Sequence, residues 1–160
     1  MKILITGGNH ARALKLLKAF PSHFILFGDY DDVPGMSTSN YAFASLGKLN
    51  TDSIAHILLN FCITESIDSI IPLNDFELEP LAKSAVLFEE YGIDVLLPRQ
   101  EIIDKYMASG KQNYPEFAVY VKGSCVYSSS DQVELPADSE LNGVFGFGPS
   151  VQEFKLFTVS

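Results

Sequence analysis

Apolar residues follow two rhythms along this chain. Short, mainly apolar stretches occupy residues 3–5, 24–27, 67–73 and 93–97, the last two carrying Asp68-Ser69 and Asp94 near their starts. Runs with no polar alternation predict strands covered on both faces. Between them the spacing turns helical. Ala13, Leu14, Leu17 and Phe20 share one helix face, which Pro21 ends. Ile54, Ile57, Leu58 and Phe61 form a second face, capped by Asn50, Thr51 or Asp52. Leu78, Leu81, Ala82, Ala85 and Phe88 form a third, capped by Asn74 or Asp75 and ended by Gly92. Pro80 is tolerable only in a first turn, so this helix is expected to start near Glu77 or Leu78. Ile102, Ile103 and Tyr106 predict a last helix near 100–107, and residues 41–46 a short edge strand.

Strands alternating with helices give βαβ units, a parallel sheet and right-handed crossovers. The expected fold class is α/β: a doubly wound, mostly parallel, Rossmann-like sheet over 1–107. Residues 108–113 read as a joint. Beyond them the pattern becomes β-like. Residues 117–121 and 124–127 flank Lys122-Gly123, a hairpin signal. Val133-Glu134-Leu135 alternates, 143–148 is rich in glycine and phenylalanine, and 151–159 alternates again. Three or four antiparallel strands are expected over 108–160. They are too few to stand alone, so they form a small β extension packed on the first part.

Composition adds bounds. At 160 residues and 17.6 kDa the chain buries about 70% of its unfolded surface, enough for a core without disulfides or metal. Cys62 and Cys125 lie far apart, and free thiols in a cytoplasmic protein are the simplest reading. His10, His23 and His56 are scattered, so no metal site is expected. No apolar run reaches membrane-spanning length. The net charge of −9 argues against nucleic acid and anionic membranes as partners. It is uneven: residues 1–28 hold Lys2, Arg12, Lys15 and Lys18 and no carboxylate, so they carry +4 and the remainder −13. Either a local positive end suits an anion, or these are solvated helix residues.

Open parallel sheets bind ligands at the carboxyl ends of their strands, where strand order reverses. That rule selects three loops. The first is Thr6-Gly7-Gly8-Asn9-His10, a glycine turn from strand to helix whose N–H groups suit a small anion or carboxylate. It does not meet the G-x-G-x-x-G dinucleotide fingerprint, and His10 and Ala13 stand where the looser G-x-x-G-x-x-G needs its second and third glycines. Gly7 and Gly8 also read as residues that only let the chain turn. Asp29 ends the second strand, as a hydroxyl- or amine-binding acid or as a turn former. Asn74, Asp75 and Glu77 follow the fourth strand, as a pocket floor, a metal or amine site, or a helix cap. The candidate ligand-binding residues are Gly7, Gly8, Asn9, His10, Asp29, Asn74 and Asp75. No catalytic residue is assigned: there is no G-x-S-x-G elbow and neither cysteine has a basic local context.

The order of these pieces is similar to one family. Matching segments are Lys2-Ile-Leu-Ile-Thr-Gly-Gly8, Gly28-Asp29-Tyr30 and Tyr41-Ala42. Further matches are Ile67-Asp-Ser-Ile-Ile-Pro-Leu-Asn-Asp-Phe-Glu77, Leu81-Ala82, Tyr91-Gly-Ile-Asp-Val-Leu-Leu-Pro98 and Ile103-Asp-Lys105. Residues 1–107 resemble the N-terminal domain that precedes the ATP-grasp fold. That domain occurs in carbamoyl-phosphate synthetase large chains, biotin carboxylase-type enzymes and pyrrolysine-biosynthesis-type ligases. ATP-grasp ligases activate a carboxylate as an acyl phosphate and join it to an amine. The resemblance implies that their ATP lysines, Mg²⁺ ligands and Glu-x-Asn-x-Arg-like stretch come after this domain. Here 53 residues follow residue 107, with no arginine and therefore no Glu-x-Asn-x-Arg-like stretch. Residues 114–122 are similar to the family's strand ending in an ATP-binding lysine, at Lys122. The expectation is a non-catalytic small-ligand-binding or partner module, with ATP and Mg²⁺ used only beside a separate ATP-grasp partner chain. A small nucleotide- or NAD-binding enzyme of the epimerase or dehydrogenase type is one alternative. A structural module that forms a homodimer through its aromatic tail is another.

Overall fold

Five strands form the first sheet: β1 (Lys2–Thr6), β2 (Phe24–Asp29), β3 (Tyr41–Ser45), β4 (Ser69–Ile71) and β5 (Asp94–Val95). Their spatial order is β3-β2-β1-β4-β5, and every neighbouring pair is parallel. The computed structural model describes residues 1–107, 114–130, 135–136, 138–148 and 154–159. Helix α1 (Ile54–Thr64) and helix α2 (Asp75–Glu90) cover one face. A 3-10 helix (Ala11–Ala19) covers the other. The chain is therefore α/β with a doubly wound sheet. The expected tail strands form a second, antiparallel sheet: β6 (Glu116–Val121), β7 (Ser124–Ser128), β8 (Gly143–Phe147) and β9 (Lys155–Leu156), in the order β7-β6-β8-β9. Lys122 and Gly123 both have positive φ, as the tight β6–β7 hairpin turn requires.

The second sheet is separate from the first and is joined to it at β5 by a side chain. Asn142 stands just before β8, and its side-chain amide donates to the carbonyls of Val95 and Leu97 at 3.2 and 3.1 Å. It takes the place that a next strand's backbone would have beside β5. Both faces of the second sheet are then covered. Phe117 and Val119 of β6 join the core under the 3-10 helix, while Ala118 and Tyr120 join the core under α1 and α2. That period-two split explains why the tail reads as apolar yet alternating.

Several expected elements differ in detail. The first helix has three residues per turn rather than 3.6. It buries Ala13 and Leu16, with Phe20 buried just after it, and leaves Leu14 at its surface. The spacing of three from Ala13 to Leu16 suits the tighter turn. Helix α1 buries Leu59 and Cys62 beside Ile54 and Leu58, while Ile57 and Phe61 are only half-buried. Helix α2 starts at Asp75, earlier than Pro80 seemed to allow, so Pro80 is its sixth residue. The lost N–H bond would have reached the carbonyl of Phe76, an exposed residue, where water can substitute. The last helix shrinks to one 3-10 turn (Ile103–Tyr106). The joint at 108–113, Val133-Glu134 and the start of the 151–159 alternation lie outside the described residues. No helix among the described residues is long and apolar enough to cross a membrane.

Candidate functional site at the strand ends

From β1 the chain moves outward to β2 and β3, then crosses back to β4 on the other side of β1. The reversal falls between β1 and β4. Gly7-Gly8 leaves β1 there, and Leu73-Asn74 follows β4 there. Of the three selected loops, two meet at this point and the third, at Asp29, stands beside the first.

The glycine turn is shaped by close approach. Gly7 has φ +72°, and a Cβ there would fall 2.6 Å from Val159 Cγ2. A Cβ on Gly8 would fall 2.8 Å from Phe27 Cβ. Both glycines therefore have a packing reason to be glycine. Three of the four N–H groups expected to hold an anion are engaged within the chain. Gly8 donates to the Gly28 carbonyl at 3.0 Å, Asn9 to Asp29 Oδ2 at 3.1 Å and His10 to the Gly7 carbonyl at 3.0 Å. Asp29 is buried, and its other oxygen accepts the Tyr30 N–H at 2.9 Å. It ties the end of β2 to the glycine turn. The Asn9 side chain donates to the Asp32 carbonyl, and both Asn9 and His10 are exposed.

The positive charges expected at this end do not converge on it. Lys2 lies at the opposite end of β1 and faces Glu65 at 3.7 Å. The Arg12 guanidinium lies over the Phe157 ring, 5.2 Å from its centroid. Lys15 and Lys18 are exposed along the helix.

The acids after β4 diverge. Asp75 is exposed, whereas Glu77 is fully buried and turned back toward the sheet. Thr6 donates to Glu77 Oε1 at 2.5 Å, Tyr30 to Oε2 at 2.7 Å, and the Asn74 N–H to Oε1 at 3.2 Å. The Thr6 hydroxyl in turn accepts the Leu73 N–H at 2.9 Å. One carboxyl thus joins β1, β2, β4 and the start of α2. Burial pushes the Glu77 carboxyl above its ordinary range, against the pull of its donors. Burial and the facing Glu77 push the Tyr30 phenol far up, so it stays a donor. This network is the part of the site that sequence reasoning missed. Its available signal was the Asn74-x-x-Glu77 spacing, which matches a capping box. No group of three His, Cys, Asp or Glu among the described residues is arranged to hold a metal ion.

The crevice is closed by the chain's own tail. The Val159 N–H donates to the Leu73 carbonyl at 2.9 Å, and Val159 is buried against Gly7 and Leu73. A groove of about 830 Å³ lies elsewhere, between α1, α2 and residues 100–104. His56, Glu79, Lys83 and Asp104 line it, and none of the predicted site residues does. Comparison with models of known families and with curated proteins returned no match for this chain.

Proposed function

We propose that this chain is a non-catalytic small-ligand-binding or partner module of the kind that precedes an ATP-grasp core. It works with an ATP-dependent carboxylate–amine ligase chain rather than carrying out that chemistry alone. The observation that carries this reading is the strand order β3-β2-β1-β4-β5. That order brackets the β1/β4 crevice with Gly7 on one side and Asn74 at the start of α2 on the other, the location at which doubly wound sheets take ligands. The occupied N–H groups of Gly8, Asn9 and His10 favour this reading over a dinucleotide enzyme, which needs bare backbone donors for a pyrophosphate.

A thermal-shift screen of the intact chain tests it, with ATP and ADP plus Mg²⁺, NAD, amino acids and small carboxylates. A ligand at 100 times its Kd adds roughly 2.7 kcal/mol, several degrees for a domain of this size. A shift with ATP, an amino acid or a small carboxylate is the expected result. A shift with NAD alone replaces the reading with an epimerase- or dehydrogenase-type enzyme. No shift with any of them withdraws the ligand role and leaves only the partner role.

A further inference from the structure

Ala11–Ala19 is nine residues of 3-10 helix, long for that winding. At three residues per turn, positions three apart stack in one row, so this helix has three rows. Ala13, Leu16 and Ala19 form the row against the sheet: the first two are buried and Ala19 packs on their cluster. Ala11, Leu14 and Leu17 form an apolar row, with Leu14 36% exposed. Arg12, Lys15 and Lys18 form a wholly basic row. An α-helical winding would spread these three cations over about a third of the circumference. The Arg12 guanidinium is held over the Phe157 ring at the start of the row. Lys15 and Lys18 are exposed, and among the described residues neither forms an ion pair. Residues 1–28 offer no carboxylate to neutralise them, although the chain as a whole carries −9.

We propose that the apolar and basic rows of this 3-10 helix are a docking surface for an acidic amphipathic α-helix of a partner protein. This rests on the partner half of the preceding reading, and it adds where the partner sits and what it brings. Charge complementarity selects an anionic partner. Like charges stacked in one row oppose each other until a carboxylate lies against them. Register selects the helix. A 3-10 helix rises about 2.0 Å per residue, so Lys15 and Lys18 stand about 6 Å apart along the axis. An α-helix rises about 1.5 Å per residue, so glutamates four apart also repeat at about 6 Å, whereas glutamates three apart repeat at about 4.5 Å. A partner helix with glutamate at every fourth position therefore meets the basic row in step, and leucines in its neighbouring row cover Leu14 and Leu17. A long polyanion fits less well, because it would run past this short positive row onto a remainder that carries −13.

Titration of the intact chain with two synthetic alanine-based helices tests this. The first carries glutamate at every fourth position and leucine in the row alongside; the second has the same composition with glutamate at every third position. At low salt the first is expected to bind, and the second to bind at least about 5-fold more weakly. Lys15→Glu and Lys18→Glu should each weaken the first peptide about 5-fold. Lys83→Glu makes the same change of charge on α2, across the sheet, and should leave binding within about 2-fold. Both helix lysines are exposed, so the variants should keep the parent's circular dichroism; if Lys15→Glu does not fold, Lys15→Gln takes the same titration. No binding of either peptide, equal binding of the two, or an equal loss with Lys83→Glu overturns the proposal. Binding to phosphatidylserine vesicles that Lys15→Glu abolishes also overturns it, and assigns the rows to a membrane surface. A dimer of the chain alone that Lys15→Glu breaks overturns it in favour of a second copy. Each of these results leaves the strand-end ligand role to the thermal-shift screen, whose outcome does not depend on Lys15 or Lys18.

Discussion

Thr6 carries more of the switch point than its size suggests. Its hydroxyl donates to Glu77 and accepts from the Leu73 backbone, both out of contact with water. Thr6→Val keeps the shape and removes both bonds, so it should cost about 2 kcal/mol in urea unfolding, mostly through the stranded Leu73 N–H. Glu77 gives a pH signature. Burial raises its folded pKa above the ordinary 4.5, so the folded state holds its proton more tightly than the unfolded state does. That contribution is full below about pH 4.5 and is lost as pH rises through the folded value. Glu77→Gln should therefore flatten the stability-versus-pH curve above pH 4.5 relative to the parent, and an unchanged slope would refute this. The two thiols should separate as well. Cys62 is fully buried and its thiol is pushed up to about 12, while Cys125 is exposed on β7. A thiol reagent at pH 7.5 should label one site per folded chain and two in denaturant.

At the scale of elements, one side chain makes three hydrogen bonds where the two sheets meet. Asn142 donates to two β5-region carbonyls and accepts the Lys122 N–H at 3.1 Å, next to the hairpin turn. Asn142→Ala leaves all three without that partner and should cost about 2–3 kcal/mol, read from the urea midpoint at constant m-value. A cost under about 0.5 kcal/mol would mean that water replaces it. Element type was readable from periodicity because burial on two faces, one stripe or alternate residues leaves different patterns. Helix ends and helix type were less readable. Pro80 lies one turn deeper than propensity suggests, since the Asn74–Glu77 capping and the buried Glu77 network hold the helix start at Asp75. Ala13 and Leu16 of the first helix enter one cluster with Ile3, Ile5, Ile25 and Phe27, a placement that a 3-10 and an α-helix would both allow, so periodicity did not distinguish the two.

Over the whole molecule, neither sheet owns a core. Each of the two apolar clusters draws residues from both the parallel and the antiparallel sheet. The protein should then unfold in one step, with far- and near-ultraviolet circular dichroism giving coincident transitions. A fragment of residues 1–107 should lack a cooperative transition, because Val95, Leu97 and Ile103 lose the second-sheet neighbours in their cluster. A fragment with a sharp transition of its own would show that the first sheet is self-sufficient.

The sequence by itself determined the fold class, the strand–helix alternation, the antiparallel character of the tail and the three loops at the strand ends. These are properties of neighbouring residues, written in periods of two and near four and in glycine and proline positions. Only the tertiary structure decided what those loops do with their polar groups. Asn9 N–H meets Asp29 across 20 residues, Thr6 meets Glu77 across 71, and Val159 closes on Leu73 from the far end of the chain. Such partners have no spacing that marks them in sequence. They are set by strand order and by which side chain fills the volume left when two sheets share one core.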